Sequence, residues 1–449
     1  MHTKNKFNYN MELKIQNVNK IKSADIQLNG LTVIVGENDS GKSTVGRILF
    51  SAIKALVNTK ASNDKKRDDL LRKHVQSFYR RLASVGISFS LAARKKESEF
   101  PRNIGEFISE IKDSSSVEEY IKQKEIAVEQ LETTPRVKSL MKDDLYRISI
   151  CMTETNNRAA KLYTEFQYLL ESEFLNQFSG REDEQIFIDI LAENKQTSYF
   201  RFTSNGKSAE ARCEDEESLE DITYVESPLY LHILDSLMFA GTYREVDKKR
   251  RSFVPMIPYH IKDFAQKMNS SRSYFSQQSL FNDNSIQTNE IIGGSFSYDE
   301  SRRSIIFKKK DMSILPINVA SGIKSFGVLQ MLLDGEYIDA NRPLIWDEPE
   351  NHLHPEWQVE FAKVLVQMYK SGKPILITTH SPYFLQAIRY FSAKLKAEDF
   401  VTYYMAQPTE DGFVEMEEVT NDLNKVFKKL ATPLTGIMNI DAARQGIDL

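Results

Sequence analysis

Nine consecutive residues, Gly36-Glu37-Asn38-Asp39-Ser40-Gly41-Lys42-Ser43-Thr44, follow the pattern G-x4-G-K-[ST]. The chemistry is phosphate binding. Glycines let the backbone wrap tightly, so that successive N–H groups point inward at phosphate oxygens. Gly36, Asn38, Ser40, Gly41 and Thr44 build the cradle. Lys42 has the reach for the β and γ phosphates, and the Ser43 hydroxyl suits Mg²⁺. A second segment, Leu344-Ile345-Trp346-Asp347-Glu348, is an apolar strand ending in two acids. Asp347 is placed to hold Mg²⁺ through water, and Glu348 to polarise an attacking water. A third, Ile375 to Pro382, is an apolar strand ending in Thr379-His380-Ser381-Pro382. His380 stands 33 residues after Asp347, within reach of the same γ-phosphate. The fourth, Asn318 to Ser325, puts Ser321-Gly322 at a helix start, 25 residues before Asp347. Such a pair makes a good anion cap.

The spacing of apolar residues says what must position these groups. Residues 11–18 and 24–28 alternate apolar and polar, as strands do. Residues 31–35, LTVIV, form a continuous apolar run, which suits a strand buried on both faces. A helix pattern then starts at Lys42 and runs through Val45, Ile48, Leu49 and Ile53. Later strands are predicted at 304–307, 343–346 and 374–378, with helices at 321–335 and 356–370. This alternation implies an α/β sheet.

Residues 60–175 are charge-rich with a helical period. One face carries Ile104, Phe107, Ile108 and Ile111; another Tyr120, Ile121 and Ile126; a third Leu162, Tyr163, Phe166, Leu169 and Leu170. No heptad pattern is sustained, so a compact helical insertion is expected rather than a coiled-coil arm. Residues 186–191 and 197–206 read as a β-meander, with Asn205-Gly206 a hairpin turn. Residues 269–288 are polar and read as a loop. A hairpin is expected over 400–419 and a helix over 421–430.

Composition sets the outer limits. At roughly 150 residues per domain, 449 residues allow two or three domains. Hydrophobic residues at 41% and charged residues at 27% exclude collagen-like and disordered classes. A net charge of −4 leaves no global basic footprint for nucleic acid. Only two cysteines, Cys151 and Cys213, argue for a reducing compartment and against a cysteine zinc site. No stretch reaches the roughly 18 apolar residues of a membrane span. The expected location is cytoplasmic, with no membrane partner.

In this order, the four segments resemble the ATP-binding-cassette (ABC) type of ATPase head. That superfamily includes SMC, RecF and overcoming-lysogenization-defect (OLD) proteins. GENDSGKST stands as Walker A, VASGIKS as the signature, LIWDEPENHLHP as Walker B and TTHSP as the switch. The string Asp347-Glu348-Pro349-Glu350-Asn351-His352-Leu353-His354-Pro355 looks like the OLD-like branch. The resemblance covers residues 11–58 and 300–390.

It implies an α/β fold: an ABC-type P-loop ATPase head with a helical insertion between Walker A and the signature/Walker B half. The expected division is an N-terminal lobe over 1–58, the insertion over 59–178, a β-rich and loop segment over 179–300, and a C-terminal lobe over 301–449. The implied cofactors are ATP and Mg²⁺. Two heads of a homo-oligomer pair head to tail, and Ser321-Gly322 of one binds the γ-phosphate held by the other. Glu348 and His380 take the catalytic positions, and Ser43 and Asp347 the metal. His352 to Pro355 fall at the dimer seam. Gln177 is the Q-loop candidate. Lys324, where transporters carry other residues, either adds charge towards the shared phosphate or lies on the surface. Asp39 stands where a glycine or another small residue is usual.

OLD nucleases carry a Toprim domain after the head. Here 69 residues follow His380 and show no D-x-D pair at a strand end, so nuclease activity is not expected of this chain. A head of this kind resembles the ATPase subunits of prokaryotic anti-phage systems such as PARIS, Septu and some retrons. On that resemblance the partners are a separate nuclease or toxin effector and a phage-encoded trigger. The alternative is a RecF- or SMC-like ATPase that clamps DNA. Its support would be the basic clusters Lys65-Lys66-Arg67, Lys248-Lys249-Arg250-Arg251, Arg302-Arg303 and Lys308-Lys309-Lys310.

Overall fold

The structure is a computed structural model. It describes residues 11–61, 65–85, 100–114, 116–153, 158–175, 177–178, 185–191, 198–204, 209–212, 219–237, 257–270, 288–299, 301–302 and 304–432. The turn at Asn205-Gly206, nearly all of the loop over 269–288 and the cluster Lys248 to Arg251 lie outside the described residues. So do the side chains of Lys65 to Arg67 and residue Arg303.

By contacts the chain divides into two compact units, Met1–Val57 with Tyr163–Leu449, and Asn58–Leu162. The first begins with strands β1 (Met11–Val18), β2 (Ile21–Leu28) and β3 (Leu31–Val35), then helix α1 (Lys42–Ala61). The second unit holds α2 (Lys65–Ser84), α3 (Ile104–Asp113), α4 (Val117–Glu129) and α5 (Pro135–Thr153). Its core is Phe78, Phe107, Ile111, Leu145 and Ile148 with their neighbours. On α4, Ile121, Ala127 and Val128 are buried, whereas Ile126 is 54% exposed. Five residues past Ile121, Ile126 has rotated off the shared face, and positions six and seven return to it.

α6 (Arg158–Phe174) belongs mostly with the first unit. Its Phe166 packs edge-on to Phe200 and Phe202 at 4.6 and 5.0 Å. Those rings come from β5 (Ser198–Ser204), which with β4 (Ile186–Leu191) and β6 (Ala209–Arg212) forms an antiparallel meander. The 59–178 segment therefore ends, as a compact unit, at Leu162.

The remaining elements are β7 (Thr223–Val225), α7 (Tyr259–Ser270), α8 (Thr288–Ile292), β8 (Ser295–Asp299), β9 (Ser304–Lys309), β10 (Met312–Ile314), α9 (Ser321–Asp334), β11 (Leu344–Asp347), α10 (Pro355–Lys370), β12 (Ile375–Thr379), α11 (Pro382–Lys394), β13 (Val401–Pro408) and β14 (Val414–Glu418). A final helix covers 423–432. One mixed sheet has the strand order β6-β5-β4-β1-β2-β14-β13-β3-β12-β11-β7. The run β13-β3-β12-β11-β7 is parallel throughout. β8, β9 and β10 form a separate antiparallel sheet.

The parallel run is sandwiched between helices, which explains its continuous apolar sequences. Val33, Trp346 and Ile377 join α9, α10 and α11 in one large core. On the opposite face, Ile345 and Leu376 lie with Leu49 and Ile53 of α1. In register, β3, β12 and β11 therefore deliver the P-loop, the switch and the acid pair at the same sheet edge.

Candidate functional site

The P-loop, the acid pair and the segment from His380 each leave the C-terminal end of a parallel strand. The loop from β3 to α1 wraps a cavity of about 330 Å³ lined by Asn38 to Thr44, with Asn19, Lys20 and Glu348. Gly41 has φ +80°, and Asp39 also lies in the left-handed region at φ +62°. That explains why small residues suit position 39, and aspartate tolerates the conformation better than most residues. Its carboxylate pairs with Lys20 from the β1–β2 turn. Asn19 and Lys20 form a wall of the cavity that the sequence did not mark, since a two-residue turn between strands has no motif. Ser40 Oγ is buried without a hydrogen-bond partner. Lys42 is buried, and its Nζ donates to Gly36 O at 2.9 Å and Glu37 O at 2.7 Å. It also lies 3.6 Å from Glu348 Oε1.

The two threonines ending β12 organise the acids of β11. Thr378 Oγ1 donates to Asp347 Oδ1 and accepts the Glu348 N–H at 3.0 Å. Thr379 Oγ1 donates to Glu350 Oε1, which also accepts the His380 N–H at 3.0 Å. His380 Nδ1 thereby comes to 3.2 Å from Glu348 Oε1 and 3.7 Å from Glu350 Oε1. Glu348 sits at φ +46°, a strained setting that the Thr378 contacts maintain. Burial pulls the Glu348 carboxyl up, but the Asn351 hydrogen bond and the charges of His380 and Lys42 outweigh it and hold it low. At Glu350 burial prevails and raises the carboxyl, and among the described residues its Oε2 has no hydrogen-bond partner. Glu350 is thus the anchor of the switch loop.

The structure brings Lys42, Ser43, Asp347, Glu348 and His380 together within one chain. Ser321, Gly322 and Gln177 line no part of the cavity. Gln177 is exposed just beyond α6. Gly322 is packed so closely that a Cβ would meet Trp357 at 2.8 Å. Ser321 Oγ donates to His352 O at 3.3 Å, joining the start of α9 to the segment that follows Glu348. Lys324 lies neither on the surface nor free towards a second head. It is 2% exposed, and its Nζ meets His232 Nε2. The fourth residue of α9 points back under the helix, so the side chain turns into its own core.

The acid side chains fit Mg²⁺. Among the described residues, Asp347 receives neutral hydroxyls, from Thr378 and from Tyr224 at 3.2 Å, and no cationic partner. Magnesium takes oxygen ligands, keeps several waters, and needs few protein donors. Ser43 lines the cavity with Glu348, and Asp347, the residue before Glu348, is 8% exposed.

A buried cluster below the acids escaped sequence reading, because its members are scattered and follow no spacing. His260 of α7 is 1% exposed. Its Nδ1 meets Glu173 Oε2 at 2.6 Å and its Nε2 meets Glu226 Oε2 at 3.0 Å. Only the imidazolium can donate from both nitrogens. Burial alone lowers the His260 value, but the bonds to Glu173 and Glu226 outweigh it and raise it. Glu226 is pulled up by burial, yet His260, Tyr230 and Arg47 bring it down to about 2. The His260 contribution to stability is therefore full below about 6.5, the unfolded value, and is lost as pH rises through the raised folded value. That of Glu226 is full above its unfolded value and is lost as pH falls towards about 2. The urea midpoint, followed by Trp346 and Trp357, should fall as pH rises from about 6.5 to 9. His260→Gln should flatten that slope; an unchanged slope would show that another group carries it.

A nucleotide-phosphate cradle beside the acids Asp347 and Glu348, on a mixed α/β sheet, defines a P-loop nucleotide-binding protein. The chain belongs to the AAA ATPase domain family, whose profile matches residues 11–385. No curated protein matches it. Among solved structures it is similar to the SMC head domain from Thermotoga maritima, at 9% identity over 91% of this chain and 98% of that one, with a TM-score of 0.37. It is likewise similar to the Smc head domain with an extended coiled coil bound to the C-terminal domain of ScpA, derived from Pyrococcus furiosus, at 11% identity over 94% and 99%, with a TM-score of 0.38. At these scores the family match alone carries the assignment. Among the described residues, no helix is long and apolar enough to cross a membrane.

Proposed function

We propose that this ATPase-domain protein is an ABC-type enzyme that binds ATP with Mg²⁺ and hydrolyses it within a head-to-tail dimer. The observation that carries this reading is the meeting of Glu348 with Lys42 at 3.6 Å and His380 at 3.2 Å on one lip of the P-loop cavity. A phosphate anion entering the cradle gives Lys42 a better partner than two carbonyls of its own loop. Lys42 then leaves Gly36 and Glu37 and frees Glu348. Glu348 accepts a proton from the attacking water, and His380 lies beside the transferred phosphoryl group. Ser43 and Asp347 would hold Mg²⁺, which would supply neutralisation of the phosphate charge. The N-terminus of α9 from a second copy completes the anion site, with Ser321-Gly322 as its cap.

Ser321→Arg tests the dimer. Ser321 is not buried, so the variant should fold and still bind ATP. Light scattering should show ATP-dependent dimers for the wild type and monomers for the variant. Dimers of equal stability would remove α9 from the interface.

The biological setting we propose is a sensor and scaffold that restrains a separate nuclease or toxin effector until a phage product triggers ATP-driven release. Its support is the string Asp347 to Pro355. A DNA clamp is the second reading, favoured by the consecutive exposed Lys308, Lys309 and Lys310. It is the weaker one, because strong duplex binders neutralise about six to ten phosphates. Among the described residues this turn, with Arg302, supplies four cations.

A further inference from the structure

Asp347 is gripped by a residue that belongs to none of the sequence motifs. Tyr224, on the neighbouring strand β7, is 1% exposed, and its hydroxyl donates to Asp347 Oδ2 at 3.2 Å. Thr378 holds the other oxygen. The two carboxylate oxygens are thus fixed by hydroxyls from the strands on either side of β11.

The tyrosine has a built seat. A Cβ at Gly46 would lie 3.0 Å from its ring, so the glycine in α1 is what admits it. Phe50 packs edge-on to it at 6.1 Å, and the His260 ring lies 4.7 Å away. Arg47, the next residue of α1, reaches Glu226 Oε1 at 3.0 Å, and its charge acts on the Tyr224 hydroxyl. Tyr224 therefore ties α1, which carries Ser43, to β11, which carries Asp347.

We propose that Tyr224 is a positioning residue for the metal site: with Arg47 behind it, it fixes the rotamer of Asp347 and its register with Ser43. The inference rests on the Mg²⁺–ATP reading above. A neutral hydroxyl suits this task better than a lysine or arginine. It orients the carboxylate without cancelling the charge that attracts a divalent cation. The positive charge of Arg47 makes the phenol a stronger donor to Asp347. Partners that orient metal ligands typically account for about 10–100-fold in metal affinity.

The test is Tyr224→Phe in the full chain, which keeps the ring in its seat and removes only the hydroxyl. Mn²⁺, as the probe for Mg²⁺, is titrated by electron paramagnetic resonance with saturating ATP. ATP binding is measured separately in EDTA, and the melting temperature is recorded. The expected result is Mn²⁺ affinity weakened about tenfold, with metal-free ATP binding and melting temperature unchanged. Unchanged Mn²⁺ affinity would overturn the proposal and leave the ATPase reading standing. A parallel fall in metal affinity, ATP affinity and melting temperature would also overturn it, since that marks a packing role. A wild-type protein that binds no Mn²⁺–ATP would instead bring down the ATPase reading itself.

Discussion

Glu348→Gln should slow ATP turnover by about two to three orders of magnitude while leaving ATP binding intact. Glutamine has the same shape, and its amide oxygen can still accept the Asn351 Nδ2 hydrogen bond that Glu348 accepts at 2.9 Å. The backbone N–H at 348 keeps Thr378. What disappears is the carboxylate that takes a proton from water beside His380, 3.2 Å away. Loss of the negative charge also frees Lys42, which lies 3.6 Å away. ATP affinity should therefore hold or rise slightly. Single-turnover phosphate release and equilibrium nucleotide binding, run on the same preparation, separate the two effects. The stalled protein should accumulate as an ATP-bound dimer. Turnover equal to wild type would remove Glu348 from the base role and leave His380 or Glu350 to take it.

The second large effect is Lys42→Ala. Each hydrogen bond from a charged group contributes about 1.5–3 kcal/mol, so loss of the ammonium should weaken ATP binding about a hundredfold. The empty protein should lose some stability too. Lys42 satisfies the carbonyls of Gly36 and Glu37, and leaving buried acceptors unpaired costs about 1–3 kcal/mol each. The two losses are separable, because melting without nucleotide reports the second and ATP titration well below the melting temperature reports the first. If ATP affinity fell only in proportion to stability, Lys42 would be a structural residue of the loop.

Much of this site was legible in the sequence because its physics is local. Residues 31–35, 344–347 and 375–379 are too apolar to be anything but buried strands, and each ends in the group that matters. Glycines at 36 and 41 mark a backbone wrapped for phosphate. What periodicity cannot show is the partner of a strand. The hairpin of β13 and β14 inserts between β3 and β2, and both pairings to those strands are parallel. Nothing in its alternation distinguishes that from an edge position. β7 has three residues and no pattern long enough to register, so Tyr224 was invisible although it touches Asp347. Lys324 illustrates the reverse failure. A charged residue in a motif reads as reaching outward, but its place on α9 turns it under the helix to His232. The cluster of Arg47, Glu173, Glu226 and His260 joins four separate elements, and charge complementarity at that range leaves no trace in spacing.

The central claim is that the P-loop cavity takes ATP and that the acids of β11 act on it. A crystal structure with Mg²⁺ and a non-hydrolysable ATP analogue tests it most directly. The account predicts the β and γ phosphates inside the loop from Gly36 to Thr44, with Lys42 moved off Gly36 and Glu37 onto them. The metal should lie between Ser43 and Asp347, with Glu348 facing the γ-phosphate. A nucleotide bound elsewhere, or Lys42 still on its own carbonyls beside a filled cavity, would contradict the account.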